Sequence, residues 1–197
     1  MIELEILPGR IEGPLAFESI FGRKAPLEIE IGVGKGRFIL EEAAKRPATD
    51  FLGLEWSLKH LRLAKERAST RGLTNVRFHH ADAKHVLADL LPDSVAERVH
   101  VYCPDPWPKK RHHKRRLLKP EFVHELALRL APQGYLHAAT DWETYAQEML
   151  ETLTAEPLLA NTADGFAPRP SYRPLTKFEA RGLALGHRVW DVRFRRR

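Results

Sequence analysis

Residues 27–40 read Leu-Glu-Ile-Glu-Ile-Gly-Val-Gly-Lys-Gly-Arg-Phe-Ile-Leu, and this segment predicts the architecture of the chain. The first five residues favour a short β-strand, and the last three begin an apolar helical run. Between them lie glycines at positions 32, 34 and 36, and a glycine-rich turn from strand to helix lets the backbone approach a ligand closely. The segment therefore predicts an α/β fold with a ligand-binding turn after its first core strand.

Each of the next three predicted strands leads into an acidic residue. They are residues 51–55 with Glu55, residues 75–82 with Asp82, and residues 98–103 followed by Asp105. Glu30 occupies the same place before the first glycine, so four consecutive strands carry an acid at their ends. Ligands of open α/β sheets bind at the carboxyl ends of the strands, and the four acids therefore predict a ligand site there.

The remaining predicted elements fit one domain. Ser57 is a helix N-cap, and Gly72 follows the end of the same helix. Residues 161–176 are rich in proline and are expected to form a mobile loop. The other predicted elements are helices 84–91, 119–130 and 142–153, a fifth strand 135–141 that ends at Asp141, and a last strand 188–194.

Composition narrows the functional classes. A chain of 197 residues with 43% hydrophobic and 29% charged residues fits a single soluble domain, residues 1–197, with an N-terminal edge segment 1–26 and a core from residue 27 onward. No apolar run is long enough to span a bilayer, and the N-terminus lacks the pattern of a secretory signal. One cysteine indicates a reducing, cytoplasmic location, and a net charge of +6 favours a polyanionic partner.

A basic block follows the fourth predicted strand. Residues 104–108 read Pro-Asp-Pro-Trp-Pro, so the prolines end the strand and stiffen the loop that carries Asp105. Six cations lie between Lys109 and Arg116. A carboxylate, an aromatic ring and these cations together suggest chemistry on a polyanion, although a solvated basic loop explains the same pattern.

The chain resembles the bacterial tRNA (guanine-N7)-methyltransferases over roughly residues 27–195. The resemblance depends on Glu-Ile-Gly-x-Gly-x-Gly, Gly-Leu-Glu, Pro-Asp-Pro-Trp-x-Lys-x-Arg-His-x-Lys-Arg-Arg, Thr-Asp and Thr-Lys-Phe-Glu-x-Arg-Gly. It implies a single Rossmann-like class I methyltransferase domain, with a mostly parallel seven-stranded sheet, an antiparallel C-terminal strand and helices on both faces. It also implies S-adenosylmethionine as cofactor and tRNA as partner, with methyl transfer to N7 of a guanine in the variable loop.

The resemblance also assigns roles to individual residues. The cofactor pocket would be lined by Glu30, Gly32, Gly34, Gly36, Glu55, Asp82 and Asp105, of which Asp105 would also be catalytic. The substrate would contact Lys109, Asp141 and the 161–182 segment through Thr176, Lys177, Phe178 and Glu179. The tRNA backbone would be bound by Arg111, His112, His113, Lys114, Arg115 and Arg116. No metal is expected, and the sequence leaves the oligomeric state open between monomer and homodimer.

The chemistry of N7 fits a carboxylate that does not act as a base. N7 carries a lone pair and no proton, so we expect Asp105 to position and stabilise the developing purine cation. Glu179 is expected to accept hydrogen bonds from the guanine, with an ion pair to Lys177 or Arg181 as the alternative. Trp107 either captures the target base or packs beneath its own loop.

Other functions remain open at this point. Amino-group methyltransferases carry Asp/Asn-Pro-Pro-aromatic at the fourth strand, and Asp105-Pro106-Trp107 has this shape without the second proline. Cytosine-C5 methyltransferases need a cysteine nucleophile, but a buried structural thiol is the favoured interpretation of Cys103. A dehydrogenase is disfavoured by Arg37, which replaces the third fingerprint glycine. An RNA-binding module has no need of four acids at strand ends, and the adjacent histidine pairs lack metal-ligand spacing.

Overall fold

The computed structural model describes residues 6–7, 13–175, 177–184, 186 and 188–197. The strands are β1 Ile6–Leu7, β2 Leu27–Ile31, β3 Asp50–Glu55, β4 Val76–His80, β5 Ala96–Tyr102, β6 Leu130–Thr140, β7 Leu159–Asn161 and β8 Trp190–Arg196. The helices are α1 Phe17–Phe21, α2 Arg37–Lys45, α3 Leu58–Thr70, α4 Ala83–His85, α5 Pro120–Arg129, α6 Glu143–Ala155 and α7 Lys177–Ala184. A π-helical turn spans Val86–Leu90, and a 3-10 helix spans Lys110–Arg115.

The described strands form one sheet in the order β1-β4-β3-β2-β5-β6-β8-β7. Pairs among β1 to β6 are parallel, whereas β8 runs antiparallel to its neighbours β6 and β7. This confirms the predicted seven-stranded, mostly parallel sheet with an antiparallel C-terminal strand. The two-residue β1 adds an eighth strand at the edge, within the predicted N-terminal edge segment.

Strand β2 lies at the centre of the sheet, and all five of its residues are buried. Its last residue, Ile31, pairs with Leu54 of β3 and Val101 of β5, so the carboxyl ends of the three strands lie side by side. One hydrophobic cluster lies under α2 and α3, and a second contains the buried faces of α5 and α6. Burial on both faces explains the continuous burial of β2.

Several predicted boundaries differ from the structure. Strand β6 begins at Leu130, so Pro132-Gln-Gly134 lies within an irregular strand opposite a register shift between Ala96 and Arg98. The predicted helix 84–91 is divided between α4 and the π-helical turn. The predicted loop 161–176 begins at the end of β7 and pairs through Ala167 with Asp191, while its mobility stays a prediction.

In the part of the chain that the structure describes, no helix combines the length and apolarity that crossing a membrane requires.

Candidate cofactor and RNA-binding site

A cleft of about 450 Å³ opens at the carboxyl ends of the parallel strands. Its lining includes Gly32 and the acids Glu55, Asp82 and Asp105, which come from four different strand ends. The structure therefore brings three of the four strand-end acids to one cleft, next to the glycine-rich turn. The volume falls within the range of small-molecule sites, roughly 300–1,000 Å³.

The glycine-rich turn is held open toward this cleft. Gly32, Gly34 and Gly36 have φ values of 80°, 52° and 77°, a region that other residues rarely adopt. A Cβ at Gly36 would lie 3.0 Å from Cβ of Ala64, so Gly36 allows α2 and α3 to approach each other. A Cβ at Gly32 or Gly34 would meet nothing within 4 Å, which leaves room for a ligand against the backbone.

Glu55 is oriented by two backbone amides. Its Oε2 accepts a hydrogen bond from Gly34 N at 2.8 Å, and its Oε1 accepts one from Ser57 N at 2.7 Å. Each carboxylate oxygen can accept two hydrogen bonds. One position on each oxygen remains for a further donor, which fits the two hydroxyls of a ribose.

Glu30 lies beneath the turn and is 5% exposed. Its Oε2 accepts a hydrogen bond from Ile39 N at 3.1 Å, at the start of α2. Burial raises the pKa of the Glu30 carboxyl to about 8, against the effect of the Ile39 hydrogen bond and reinforced by the nearby charge of Glu55. Glu55, Asp82 and Asp105 line the cleft, whereas Glu30 is buried behind the glycine turn and binds the start of α2.

The loop that carries Asp105 is bounded by two strained residues. Cys103 and Trp107 have φ values of 47° and 46°, which are uncommon for residues with side chains. Between them Asp105 is exposed and lines the cleft. The Trp107 ring lies 4.9 Å from the guanidinium of Arg115 and meets His112 edge-on at 5.9 Å, so Trp107 packs against its own loop as well as lining the cleft.

The basic block presents most of its charge to solvent. The exposed cations are Lys109, Lys110, Arg111, Lys114 and Arg115, while His112 and His113 are half-buried. They lie on or next to the 3-10 helix, beside the end of the cleft that contains Trp107 and Arg115. A positive surface therefore adjoins the candidate cofactor cleft.

Arg116 differs from the rest of the block because it is buried, with 1% of its surface exposed. Its guanidinium donates to the carbonyl of Pro106 at 2.9 Å, pairs with Glu148 of α6 and covers the ring of Tyr145 at 4.8 Å. Against the effect of burial, hydrogen bonds from Lys119 and Arg116 lower the pKa of Glu148. Arg116 therefore fixes the loop to α6, and its predicted place on the RNA-binding surface is corrected.

The predicted substrate residues are only partly described. Asp141 is exposed directly after β6. Thr176 lies outside the described residues, and Lys177 and Phe178 are placed only as the first residues of α7. Glu179 is buried and forms ion pairs with Arg169 and Arg173, which belong to the preceding segment. The alternative ion pair from Glu179 to Lys177 or Arg181 stays a prediction, because the structure does not describe those two side chains.

Comparisons with known proteins agree with this geometry. Residues 24–192 match a family model described as "Putative methyltransferase". A tRNA (guanine-N(7)-)-methyltransferase of Paracidovorax citrulli is 55% identical over 184 residues, which are 93% of this chain and 74% of the relative. The corresponding protein of Bordetella pertussis is 56% identical over 93% of this chain and 72% of the relative. The chain belongs to the tRNA (guanine-N7)-methyltransferase family.

Solved structures of other methyltransferases share the fold of this family member. The 16S rRNA methyltransferase KamB superposes with a TM-score of 0.67 at 16% identity, over 91% of this chain and 92% of the other. The aminoglycoside resistance methyltransferase NpmB1 gives a TM-score of 0.62 at 20% identity, over 92% of each chain. At these identities the likeness shows the fold alone.

Trp56 and Cys103 have surroundings that the sequence did not predict. Trp56 is 73% exposed and lines the cleft directly after Glu55. Cys103, expected to be buried, is exposed. Partial desolvation and the nearby charge of Asp141 raise the pKa of the Cys103 thiol to about 11, which keeps it protonated and unsuited to act as a nucleophile at neutral pH.

The described residues contain no group of three or more His, Cys, Asp or Glu side chains that could hold a metal ion.

Proposed function

We propose that this protein methylates N7 of a guanine in the variable loop of tRNA, with S-adenosylmethionine as the methyl donor. The observation that carries the proposal is the junction between the acidic cleft and the basic loop. Asp105 lines the cleft, and the exposed cations of residues 109–115 begin four residues later. One loop thus joins a cofactor-sized cleft to a surface suited to a nucleic acid backbone.

The cleft suits S-adenosylmethionine on the chemistry of its lining. Glu55 offers two acceptor positions for ribose hydroxyls, the open turn at Gly32 and Gly34 leaves room for the amino-acid end of the cofactor, and Trp56 offers a face for the adenine. Asp82 holds its own loop by accepting from Lys84 N at 2.9 Å, and its other oxygen suits the adenine amino group. The cofactor supplies an electrophilic methyl group on a sulfonium.

The protein's own contribution to the reaction is alignment and electrostatics. Guanine N7 attacks without losing a proton, and the purine gains positive charge as the bond forms. Asp105, held on a stiff loop between two prolines, is positioned to stabilise that charge. Its exposure is consistent with a group that meets its partner only when tRNA binds.

The target base must lie in a loop or be drawn out of its stack, because N7 is inaccessible in the deep major groove of A-form RNA. We assign backbone binding to Lys109, Lys110, Arg111, Lys114 and Arg115, with His112 and His113 beside them and Arg116 excluded by its burial. Residues 161–182, with Asp141, Thr176, Lys177, Phe178 and Glu179, form the proposed substrate segment. Five phosphate contacts predict a salt dependence of about −4 in log–log form.

The function is tested with labelled S-adenosylmethionine and unmodified tRNA. After incubation, borohydride and aniline cleave the tRNA at 7-methylguanosine, and we expect a single cleavage in the variable loop. Label without cleavage would overturn N7 as the target atom. Cleavage outside the variable loop would overturn the proposed position.

A further inference from the structure

Arg173 is buried between two carboxylates, with 4% of its surface exposed. Its Nη1 and Nη2 donate to Glu179 Oε2 and Oε1 at 2.9 and 2.7 Å. Its Nε and Nη2 donate to Asp191 Oδ1 and Oδ2 at 3.0 and 3.1 Å. Glu179 belongs to α7 and Asp191 to β8, so the guanidinium of Arg173 joins α7 to the sheet.

Asp191 is itself held from the other side by His137 of β6. His137 Nε2 lies 2.7 Å from Asp191 Oδ1, and both residues are almost fully buried. Burial lowers the pKa of His137 to about 4, so the neutral ring donates from Nε2 to the carboxylate. Nδ1 then accepts from the hydroxyl of Tyr102 or Tyr172, at 2.8 and 3.1 Å. The Asp191 carboxylate that binds Arg173 is therefore held in one orientation by His137 of the sheet.

Arg169 contacts Glu179 differently from Arg173. Its side chain is 36% exposed, and its single contact to that carboxylate, Nε to Oε1, is 3.3 Å long. Arg173 makes four hydrogen bonds to two buried carboxylates, whereas Arg169 covers Glu179 from the solvent side. The two arginines are thus an inner and an outer partner of one carboxylate.

The outer partner has a chemical likeness to guanine. The N1–H and the exocyclic amine of guanine form two parallel donors on a planar C–N framework, as the donors of a guanidinium do. A carboxylate that accepts from a guanidinium can therefore accept from this edge of guanine without changing its own orientation. Exchange of the one for the other needs the exposed Arg169 to release its long contact to Glu179 and the hydrogen bond from its Nη2 to the carbonyl of Arg173.

We propose that Arg173 is a positioning residue that aims Glu179 at the target guanine, and that Arg169 occupies the place of the guanine edge until tRNA binds. This inference rests on the proposed function, in which Glu179 reads the guanine. Arg173 acts through Glu179 and does not itself touch the substrate. Several titratable groups lie near this cluster. Cys103 is close to the charges of Asp141, Arg173, Glu179 and Asp191, Tyr102 is close to those of Arg173 and Asp191, and His137 contacts Asp191.

The test compares Arg173→Gln and Arg169→Gln in the full chain with unmodified tRNA. Loss of Arg173 removes the cation that lies between the carboxylates of Glu179 and Asp191, and we expect kcat to fall about 100-fold through misplacement of Glu179. Repulsion between the two carboxylates favours uptake of a proton, and a protonated carboxyl cannot accept both guanine donors, so the activity of Arg173→Gln should also rise with pH more steeply than that of the wild type. Arg169→Gln should lower KM for tRNA, because a competitor for Glu179 is removed.

Two controls separate positioning from simple loss of stability. Arg129→Gln removes another arginine that bridges two acids, Asp93 and Glu125, at the opposite end of the strands, and should leave kcat and KM near wild type. The double variant Arg173→Gln/Glu179→Gln should be no slower than Glu179→Gln alone, since residues that act as a unit are not additive. Binding of S-adenosylmethionine, measured by calorimetry, should be unchanged in every variant.

A wild-type kcat in Arg173→Gln, multiplicative losses in the double variant, or an unchanged or raised KM in Arg169→Gln would each overturn the inference. If Arg173→Gln does not fold, Arg173→Lys tests the role instead. Lysine keeps the charge but loses the bidentate hydrogen-bond geometry, so kcat should fall about 10-fold. Wild-type kcat in Arg173→Lys would then refute the role. Failure of the wild-type protein to form 7-methylguanosine would instead overturn the proposed function.

Discussion

Replacing Glu30 by glutamine should change how the free energy of unfolding depends on pH. Burial raises the folded-state pKa of Glu30 to about 8, whereas its ordinary value is 4.5. Between these values the folded protein holds one more proton than the unfolded chain, so its stability falls as pH rises. A glutamine side chain at this position cannot titrate but can still accept the hydrogen bond from Ile39 N. The variant should therefore lose this part of the pH dependence.

The size of the effect follows from the two pKa values. The full difference corresponds to at most about 5 kcal/mol, and the part between pH 6.5 and 8 corresponds to about 2 kcal/mol. Most other displaced groups act below that window. Against the effect of burial, hydrogen bonds from Arg46 and His100 lower the pKa of Glu28 to about 2, and burial lowers the pKa of His137 to about 4 and also lowers that of His100. The stability linked to these groups is lost as pH falls through 4.5 for Glu28 and through 6.5 for the histidines, and whatever remains of it near pH 6.5 is common to the wild type and the variant.

The assay is urea unfolding followed by circular dichroism between pH 6.5 and 8, without cofactor. We expect the wild-type free energy of unfolding to fall by about 2 kcal/mol across the window and that of Glu30→Gln to stay level. Glu66→Gln, an exposed glutamate of α3, is the matched control and should follow the wild type. Equal slopes in the wild type and Glu30→Gln would refute the assignment of a buried, protonated carboxyl.

Three further outcomes are expected. Asp105→Asn should lower kcat by about 10²–10³, because Asp105 stabilises the charge that develops on the purine. The variant should show no new pH dependence between pH 6 and 8, since Asp105 removes no proton. If a single ionisation near neutral pH controls the wild-type rate and is lost in the variant, Asp105 acts as a base. Trp56→Ala should weaken S-adenosylmethionine binding about 10-fold in calorimetry, as loss of one aromatic stack on the adenine does, and unchanged affinity would exclude that contact. Arg111→Gln should reduce the salt slope of tRNA binding by about 1 with unchanged stability. Arg116→Gln should instead lower the free energy of unfolding by about 1–3 kcal/mol, because it removes the buried guanidinium that joins the carbonyl of Pro106 to Glu148. An unchanged stability with a reduced salt slope in Arg116→Gln would assign Arg116 to the RNA-binding surface.

The local features of the fold could be predicted because they depend on neighbours in the sequence. The predicted strand 27–31 has the same bounds as β2, and Ser57 caps α3 by accepting from His60 N. The glycine turn was predictable for the same reason, since its φ values depend on residue type. The predicted boundaries were wrong where pairing with a distant strand extends an element. Strand β6 begins at Leu130 because this residue pairs with Ala96 of β5.

The candidate site shows the same division. Acids at strand ends were predictable, because parallel strands bring their carboxyl ends to one edge whatever the side chains are. Whether each acid faces the cleft was not predictable: Glu30 lies beneath the turn, while Glu55, Asp82 and Asp105 line the cleft. That difference depends on which face of the sheet α2 covers.

The sequence by itself determined the class of fold, the order of the strand-end acids and the position of the basic block, since these follow from periodicity, glycine and charge along the chain. Only the tertiary structure decided what each charge does. Arg116 lies among the cations in sequence, yet α6 brings Glu148 and Tyr145 around it and buries it. Arg173 shows no sign of its role in a proline-rich segment, and it acquires that role because β8 and α7 place two carboxylates against one guanidinium.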